Sequence, residues 1–175
     1  LDINNLYKGF KKVKIAKGAA GIDGQSVGAF ASNLEINLKQ LQLELQSKQY
    51  RAQPVKRVEI PKDDGGVRWL GIPAVRDRIV QQTLLTIIQP IFDPDFHPSS
   101  YGYRPKKGCH EAISKATMFI RKYRRQWVVD MDLSKCFDTL DHEFMLKQIR
   151  RKVTDGSILK LIIQFLKSGV MVGNQ

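Results

Sequence analysis

Cysteine, long apolar runs and acidic residues are all scarce in this sequence of 175 residues. Its two cysteines, Cys109 and Cys136, have neither the spacing nor the histidine neighbours of a zinc site or a catalytic thiol. We therefore expect reduced thiols without a role in chemistry. No apolar run approaches the roughly 18 residues of a membrane span, and the amino terminus lacks a signal-peptide core. These absences predict an intracellular, cytoplasmic protein.

Acidic residues number 17 against 29 lysines and arginines, which leaves a formal net charge of +12. Because cations that neutralise phosphates release condensed counterions, this surplus favours a polyanionic partner, although a generally basic surface would have the same composition. The surplus is greatest between Arg104 and Arg125, where eight basic residues accompany one acid, Glu111. The hydrophobic fraction of 42% is enough for a core and excludes a disordered chain.

The pattern of apolar residues predicts an α+β fold. Two β-prone segments around Asp64 and Gly65, bounded by Pro61 and Pro73, predict a β-hairpin, and WVVDMDL predicts a strand at 127–133. Three prolines and two glycines predict a loop at 92–108. Helical spacing predicts helices at 1–20, 30–50, 76–90, 110–123, 142–151 and 157–167. In the helix at 110–123 we expect five apolar residues to face inward, namely Ala112, Ile113, Ala116, Phe119 and Ile120.

Two acids lie on one face of the predicted strand at 127–133. Side chains alternate along a strand, so Asp130 and Asp132 share a side with Val128. Two neighbouring carboxylates repel each other unless a cation offsets them, and Mg²⁺ prefers oxygen ligands. The acids could equally lie in water. Phe137 follows and could either stack on a sugar at such a site or belong to the core.

Cations and aromatic residues suggest two further contacts with a phosphorylated ligand. Lys62 and Arg68 flank the hairpin turn and could bind an anion, although Asp63 and Asp64 could neutralise them locally. From Tyr101 to Arg125, tyrosines and a phenylalanine are interleaved with the basic residues, a pattern typical of RNA or single-strand binding. The predicted RNA-binding cations are Arg104, Lys106, Lys107, Arg121, Lys122, Arg124 and Arg125.

Three motifs together resemble the group II intron reverse transcriptases, also called intron-encoded maturases. IPKDDGGVRWLGIP is similar to their fingers hairpin, FHPSSYGYRPKKGCHEAI to the segment that follows it, and WVVDMDLSKCFDTLDH to the first catalytic motif of the palm. GIDG and the helix after it resemble the amino-terminal extension of the family. The order of the motifs, with FHPSSYGYRP between the other two, makes the resemblance specific.

The resemblance implies reverse-transcriptase-like fingers, made of helices and a β-hairpin, joined to the first part of a palm. It implies an amino-terminal extension at 1–50, fingers at 51–108 and the start of the palm at 109–175. The sequence reaches its end at GVMVGNQ without the family's YADD-like hairpin or its PQG-like motif, and it begins at Leu1. We therefore expect a fragment of a longer protein.

The resemblance also implies roles for five residues. Asp132 corresponds to the first catalytic, metal-binding aspartate, and the main-chain carbonyl of Leu133 to a further metal ligand. Phe137 corresponds to the aromatic gate that disfavours a ribose 2′-hydroxyl, and Lys62 and Arg68 correspond to fingers residues that contact the triphosphate of the incoming nucleotide. Asp130 has no such counterpart, so Asp132 alone is retained.

The implied activity is that of an RNA-directed DNA polymerase, which uses Mg²⁺, a deoxynucleoside triphosphate, a DNA primer and an RNA template or intron RNA. Such a protein is expected in a bacterial ribonucleoprotein. Since the sequence contains one of the family's three catalytic aspartates, we expect these residues alone to bind RNA without polymerising. One alternative is an RNA-binding maturase or splicing scaffold without catalysis. Another is a related bacterial reverse transcriptase from a retroelement or a defence system.

Overall fold

A computed structural model of the chain describes residues 1–63 and 65–171. They form two compact units, one made of residues 1–88 and 146–171 and a second made of residues 89–145. We call them the first unit and the second unit. The helices and strands in chain order are α1 (Ile3–Ala16), α2 (Val27–Ser32), α3 (Leu34–Gln46), β1 (Val55–Pro61), β2 (Val67–Ile72), α4 (Val75–Phe92), α5 (Cys109–Arg121), α6 (His142–Arg150), α7 (Gly156–Leu166) and β3 (Val170–Met171).

The content of helices and a small sheet confirms the predicted α+β class. One difference is that the long helix predicted at 30–50 is two helices, α2 and α3. Asn33 lies between them with a backbone conformation outside the helical region, and the side-chain amide of Asn37 donates to the carbonyl oxygen of Phe30 at 2.9 Å. That carbonyl is thereby satisfied although the helix ends there. Among the described residues, no helix is both long and apolar enough to cross a membrane.

The hydrophobic core of the first unit lies among α1, α2, α3 and α4. The predicted apolar stripe is largely buried there, since Phe30, Leu38 and Leu41 are inaccessible and Leu34 and Leu45 pack against them. Half-buried residues of α7 pack on the same core. The fully or nearly buried side chains of α1 and α4 are Leu6, Phe10, Val13, Val75, Ile79, Val80 and Leu84.

Helices α1 and α4 approach each other closely at Gly9. A Cβ atom at this position would lie 2.5 Å from Oγ1 of Thr83 and 2.9 Å from the carbonyl oxygen of Ile79. Glycine is therefore required by the close packing of the two helices. Thr83 is buried, and its hydroxyl donates to the carbonyl oxygen of Ile79 at 2.7 Å, so its polar atom is satisfied inside the core.

The predicted hairpin is present as the antiparallel pair of β1 and β2. Ile60 pairs with Arg68 and Glu59 pairs with Trp69, and the turn contains Gly65 at a positive φ of 81°. The sequence patterns did not predict β3, which lies parallel to β1 and gives the sheet the order β2-β1-β3. With two residues, β3 is too short to have a recognisable hydrophobic period.

A buried carboxylate joins the base of this hairpin to α4. Asp77 is 1% exposed, accepts the hydroxyl proton of Tyr50 at 2.6 Å and accepts the backbone N–H of Gln53 at 2.9 Å. Burial raises the pKa of Asp77, and burial together with the neighbouring carboxylate raises the pKa of Tyr50. Because Gln53 lies just before β1 and Asp77 lies in the first turn of α4, the contact fixes both ends of the hairpin.

The second unit contains the end of α4, a 3₁₀ turn at Asp93–Asp95, α5 and the first residues of α6. Asp141 accepts the N–H groups of Glu143 and Phe144 at 2.8 and 3.1 Å, so its carboxylate satisfies two backbone donors at the start of α6. The predicted strand at 127–133 is wrong, because a strand needs a hydrogen-bonding partner and none of the described strands pairs with this segment. Its side chains are exposed, Trp127 by 92%.

The predicted inward face of α5 is also wrong. Ile113, Phe119 and Ile120 are exposed, as is Ala116, while Ala112 is half-buried. The periodicity identified an apolar side of the helix correctly, but no described element covers that side.

The contact at Asp77 predicts a measurable effect of Tyr50→Phe. Removing one hydroxyl deprives a buried carboxylate of one of the two hydrogen-bond donors that the described residues supply, so we expect the free energy of unfolding to fall by about 2 kcal/mol. Urea denaturation of the 175-residue chain measures it. Tyr7→Phe is the matched control, because Tyr7 is exposed on α1. Equal losses in the two variants would contradict the proposed stabilisation.

Candidate nucleotide and nucleic-acid site

The predicted hairpin cations, Lys62 and Arg68, lie on one face of the β1–β2 pair. Arg68 is opposite Ile60, and the backbone N–H of Lys62 continues the ladder by donating to the carbonyl oxygen of Gly66 at 2.8 Å. Side chains alternate along a strand, so Lys62 shares the face of Ile60 and Arg68. Both cations are exposed. They are therefore available to the same ligand.

The other face of the hairpin has a different chemistry. The guanidinium carbon of Arg57 lies 4.2 Å from the ring centroid of Trp69, and Glu59 is paired with Trp69. Arg57 is thus engaged by an aromatic ring on the side away from Arg68. Of the two acids that could neutralise the hairpin cations, Asp63 forms no ion pair within the described residues, and Asp64 lies outside them.

The loop at 93–107 is organised around Arg104. Its Nε donates to Oδ1 of Asp93 at 2.8 Å, and its Nη2 donates to the carbonyl oxygen and to Oδ2 of the same residue at 3.0 and 3.4 Å. Its Nη1 donates to the carbonyl oxygens of His97 and Ser100 at 3.0 and 3.1 Å. All five N–H donors of the guanidinium therefore have acceptors within the loop.

This arrangement gives one of the predicted RNA-binding residues a role inside the loop. Arg104 was expected to bind RNA, but its guanidinium also lies over the ring of Phe96 and its side chain is only 9% exposed. Its hydrogen bonds hold the pKa of Asp93 below the ordinary value. Arg104 stabilises the loop, and none of its donors is left for a phosphate. Charge composition could not reveal this, because it depends on where the chain folds back.

The other predicted RNA-binding cations are exposed side chains of the second unit. Lys107 is partly engaged, since its Nζ lies 3.5 Å from the carbonyl oxygen of Pro98 and 5.5 Å from the ring centroid of Tyr101. Throughout the described chain, no ion pair with a carboxylate involves the rest of the set, namely Lys106, Arg121, Lys122, Arg124 and Arg125. Aromatic rings accompany them, including Phe119 and Tyr123 with centroids 5.8 Å apart.

One basic residue that the sequence patterns did not single out also stabilises the loop. Lys115 of α5 donates to Oγ of Ser99 at 2.7 Å. The contact ties the helix to the loop that Arg104 organises. The only sequence signal for it was its membership in the basic run.

The predicted catalytic segment is accessible. Asp132 and Leu133 are exposed, and Phe137 is 81% exposed in a turn closed by the N–H groups of Asp138 and Thr139, which donate to the carbonyl oxygen of Lys135 at 3.0 and 3.1 Å. In residues 1–63 and 65–171, no three histidine, cysteine or carboxylate side chains come together as a metal site. These residues therefore do not complete a metal centre, although Asp132 has a carboxylate free to contribute to one.

The predicted site residues belong to different units. Lys62 and Arg68 lie in the first unit, whereas Asp132, Phe137 and the basic surface lie in the second. Each group is a local arrangement with its own chemistry. One set offers two cations on a hairpin, and the other offers cations, aromatic rings and a carboxylate.

Comparison with known proteins identifies the family to which this chain belongs. The model of one family, described as reverse transcriptase (RNA-dependent DNA polymerase), matches residues 60–175. The chain belongs to the reverse transcriptase family. The matched range includes the hairpin cations, the Arg104 loop and Asp132.

Relatives of this family member confirm the resemblance to group II intron proteins. Protein YkfC of Escherichia coli K12 is 40% identical over 159 residues, covering 88% of this chain and 42% of the relative. Group II intron-encoded protein LtrA of Lactococcus lactis is 32% identical over 168 residues, covering 94% and 27%. Nuclear intron maturase 1 of Arabidopsis thaliana is 30% identical over 95 residues, covering 54% and 13%. The chain thus spans less than half of each relative.

The structural role of Arg104 in this member of the reverse transcriptase family can be tested with Arg104→Lys. An ammonium cannot replace five donors in a planar fork, so we expect the loop to open more often. Chymotrypsin should cleave after the aromatic residues at 96–103 about tenfold faster. This factor corresponds to a decrease of about 1.4 kcal/mol in the free energy of local opening. Arg121→Lys is the matched control at an exposed position. Equal cleavage rates in both variants would exclude the assigned role.

Proposed function

We propose that this chain is the part of a group II intron-encoded reverse transcriptase that holds RNA and the incoming nucleotide. In this proposal residues 1–50 form the amino-terminal extension, 51–108 the fingers and 109–175 the start of the palm. The observation that carries it is the exposed basic and aromatic surface of the second unit. Apart from Arg104, the predicted RNA-binding cations there form no ion pair with a carboxylate among the described residues. Such a surface gains free energy from a polyanion through counterion release.

Within this proposal the hairpin binds the triphosphate of a deoxynucleotide. Lys62 and Arg68 share one exposed face of β1–β2, and a guanidinium can donate two parallel hydrogen bonds to phosphate oxygens. Phe137 acts as the gate against a ribose 2′-hydroxyl. Its high exposure leaves the ring accessible to a nucleotide.

Magnesium-dependent nucleotidyl transfer to a DNA primer is assigned to the longer protein. Asp132, with the main-chain carbonyl of Leu133, would contribute oxygen ligands to Mg²⁺ there. The described residues do not complete such a site. We propose that the 175 residues alone do not polymerise.

A second candidate function is an RNA-binding maturase or splicing scaffold. It is favoured by the same basic surface and by relatives named as intron maturases. Both candidates require RNA binding by the second unit. They differ in whether the hairpin binds a deoxynucleoside triphosphate, which the scaffold does not need.

The RNA surface is tested by replacing Lys106, Arg121, Arg124 and Arg125 with alanine together. Since each cation that neutralises a single-strand phosphate contributes about 0.7 to the slope of log affinity against log salt, the slope should become shallower by about 3. Fluorescence anisotropy with a labelled single-stranded RNA at several salt concentrations measures it.

The matched control removes the same charge elsewhere, at Lys39, Lys147, Lys160 and Lys167, which are exposed on or directly after α3, α6 and α7. This control should leave the slope within about 1 of the parent value, because the removed charges lie outside the proposed contact. Equal changes in the two variants would mean that RNA binds to the whole basic chain without a preferred surface.

The nucleotide contact is tested with Arg68→Ala against Arg57→Ala. Losing a charge-assisted contact to phosphate should weaken binding of a deoxynucleoside triphosphate about tenfold, whereas Arg57 lies on the other face and should change it little. Equilibrium dialysis with Mg²⁺ measures both. An unchanged affinity in Arg68→Ala would favour the scaffold over the polymerase.

A further inference from the structure

Tyr103 is the most exposed aromatic side chain described in the second unit. Its exposure is 100%, and its backbone has a positive φ of 55°. This left-handed conformation is unfavourable for a residue with a Cβ atom, so the surrounding loop must hold it. Both faces of the phenol ring are open to a ligand.

The loop that carries Tyr103 is fixed by its neighbour. Arg104 directly follows Tyr103 in the sequence and donates five hydrogen bonds to Asp93, His97 and Ser100. Lys107 donates its backbone N–H to the carbonyl oxygen of Arg104 at 3.3 Å. The main chain beside Tyr103 is therefore ordered before any ligand binds, which reduces the entropy lost on binding.

The positive charge around Tyr103 indicates which class of ligand would bind there. Lys106 is exposed with a φ of 57°, and it forms no ion pair among the described residues. The run from Arg104 to Arg125 has eight basic residues and one acid. An apolar protein segment would gain nothing from these cations, whereas a nucleotide combines a flat π face with a negative phosphate.

We infer that Tyr103 is a stacking platform for an unpaired base of a single-stranded nucleic acid, with Lys106 contacting a neighbouring phosphate and Arg104 acting as a positioning residue. This inference rests on the proposed RNA surface and makes it more specific. Stacking on one ring needs a base with a free face, and inside a duplex the neighbouring base pairs cover both faces. The surface should therefore distinguish single strands from duplexes through one side chain.

The test compares the parent chain with Tyr103→Ala on a single-stranded RNA and on an RNA duplex of the same length. We expect the affinity for the single strand to fall about tenfold, within the range found for loss of one base-stacking ring, and the affinity for the duplex to change less than twofold. Tyr103→Phe keeps the ring and should retain the parent preference. Tyr7→Ala, which removes a half-exposed tyrosine from basic helix α1, should leave the preference unchanged.

The outcomes separate the inference from the proposed function. If the parent chain does not bind RNA, the proposed function fails and the platform fails with it. If the parent binds RNA but Tyr103→Ala leaves single-strand affinity unchanged, or lowers both affinities equally, the platform is excluded and the RNA surface stands. Should the alanine variant fail to fold, Tyr103→Leu, which keeps bulk without a π face, decides in the same way.

The positioning role of Arg104 is tested in the same assay. Arg104→Lys should lower the affinity for the single strand by moving Tyr103, so the double variant with Tyr103→Ala should bind no more weakly than Tyr103→Ala alone. Additive losses would mean that Arg104 contacts RNA itself or acts only on stability, and would overturn this role.

Discussion

The buried carboxylate of Asp77 connects the helical core of the first unit to the hairpin that it carries. It accepts hydrogen bonds from Tyr50, at the end of the segment after α3, and from the backbone of Gln53, just before β1. A carboxylate at 1% exposure is stable only when donors satisfy it. The position of the hairpin relative to α4 is therefore coupled to core packing, and the cations at its turn, Lys62 and Arg68, are presented from a fixed base.

Local patterns in the sequence predicted most elements of the first unit. The hairpin followed from β-prone residues around Gly65, and the core stripe followed from the spacing of Phe30, Leu38 and Leu41. The break at Asn33 was not predicted, because it depends on a side-chain hydrogen bond from Asn37 to a carbonyl group. The pairing of β3 with β1 was missed because it joins residues far apart in the sequence and has no local pattern.

The sequence predicted the chemistry of the candidate site better than it predicted the roles of individual residues. Charge counting placed the basic surface correctly in the second unit, and the three motifs led to the reverse transcriptase family. Composition could not separate Arg104, whose donors are all satisfied inside the loop, from Lys106, which is exposed. The strand expected at Asp132 was wrong for a related reason, since a strand depends on a partner that a local pattern cannot specify.

We propose above all that RNA binds to the basic and aromatic surface of the second unit. Ultraviolet crosslinking of a single-stranded RNA to the 175-residue chain, followed by mass spectrometry of the peptides, locates the contact directly. We expect crosslinks concentrated in peptides from residues 101–125, with Tyr103 among the modified residues. Crosslinks confined to the lysine-rich helix α1, or spread evenly over exposed lysines of both units, would contradict it.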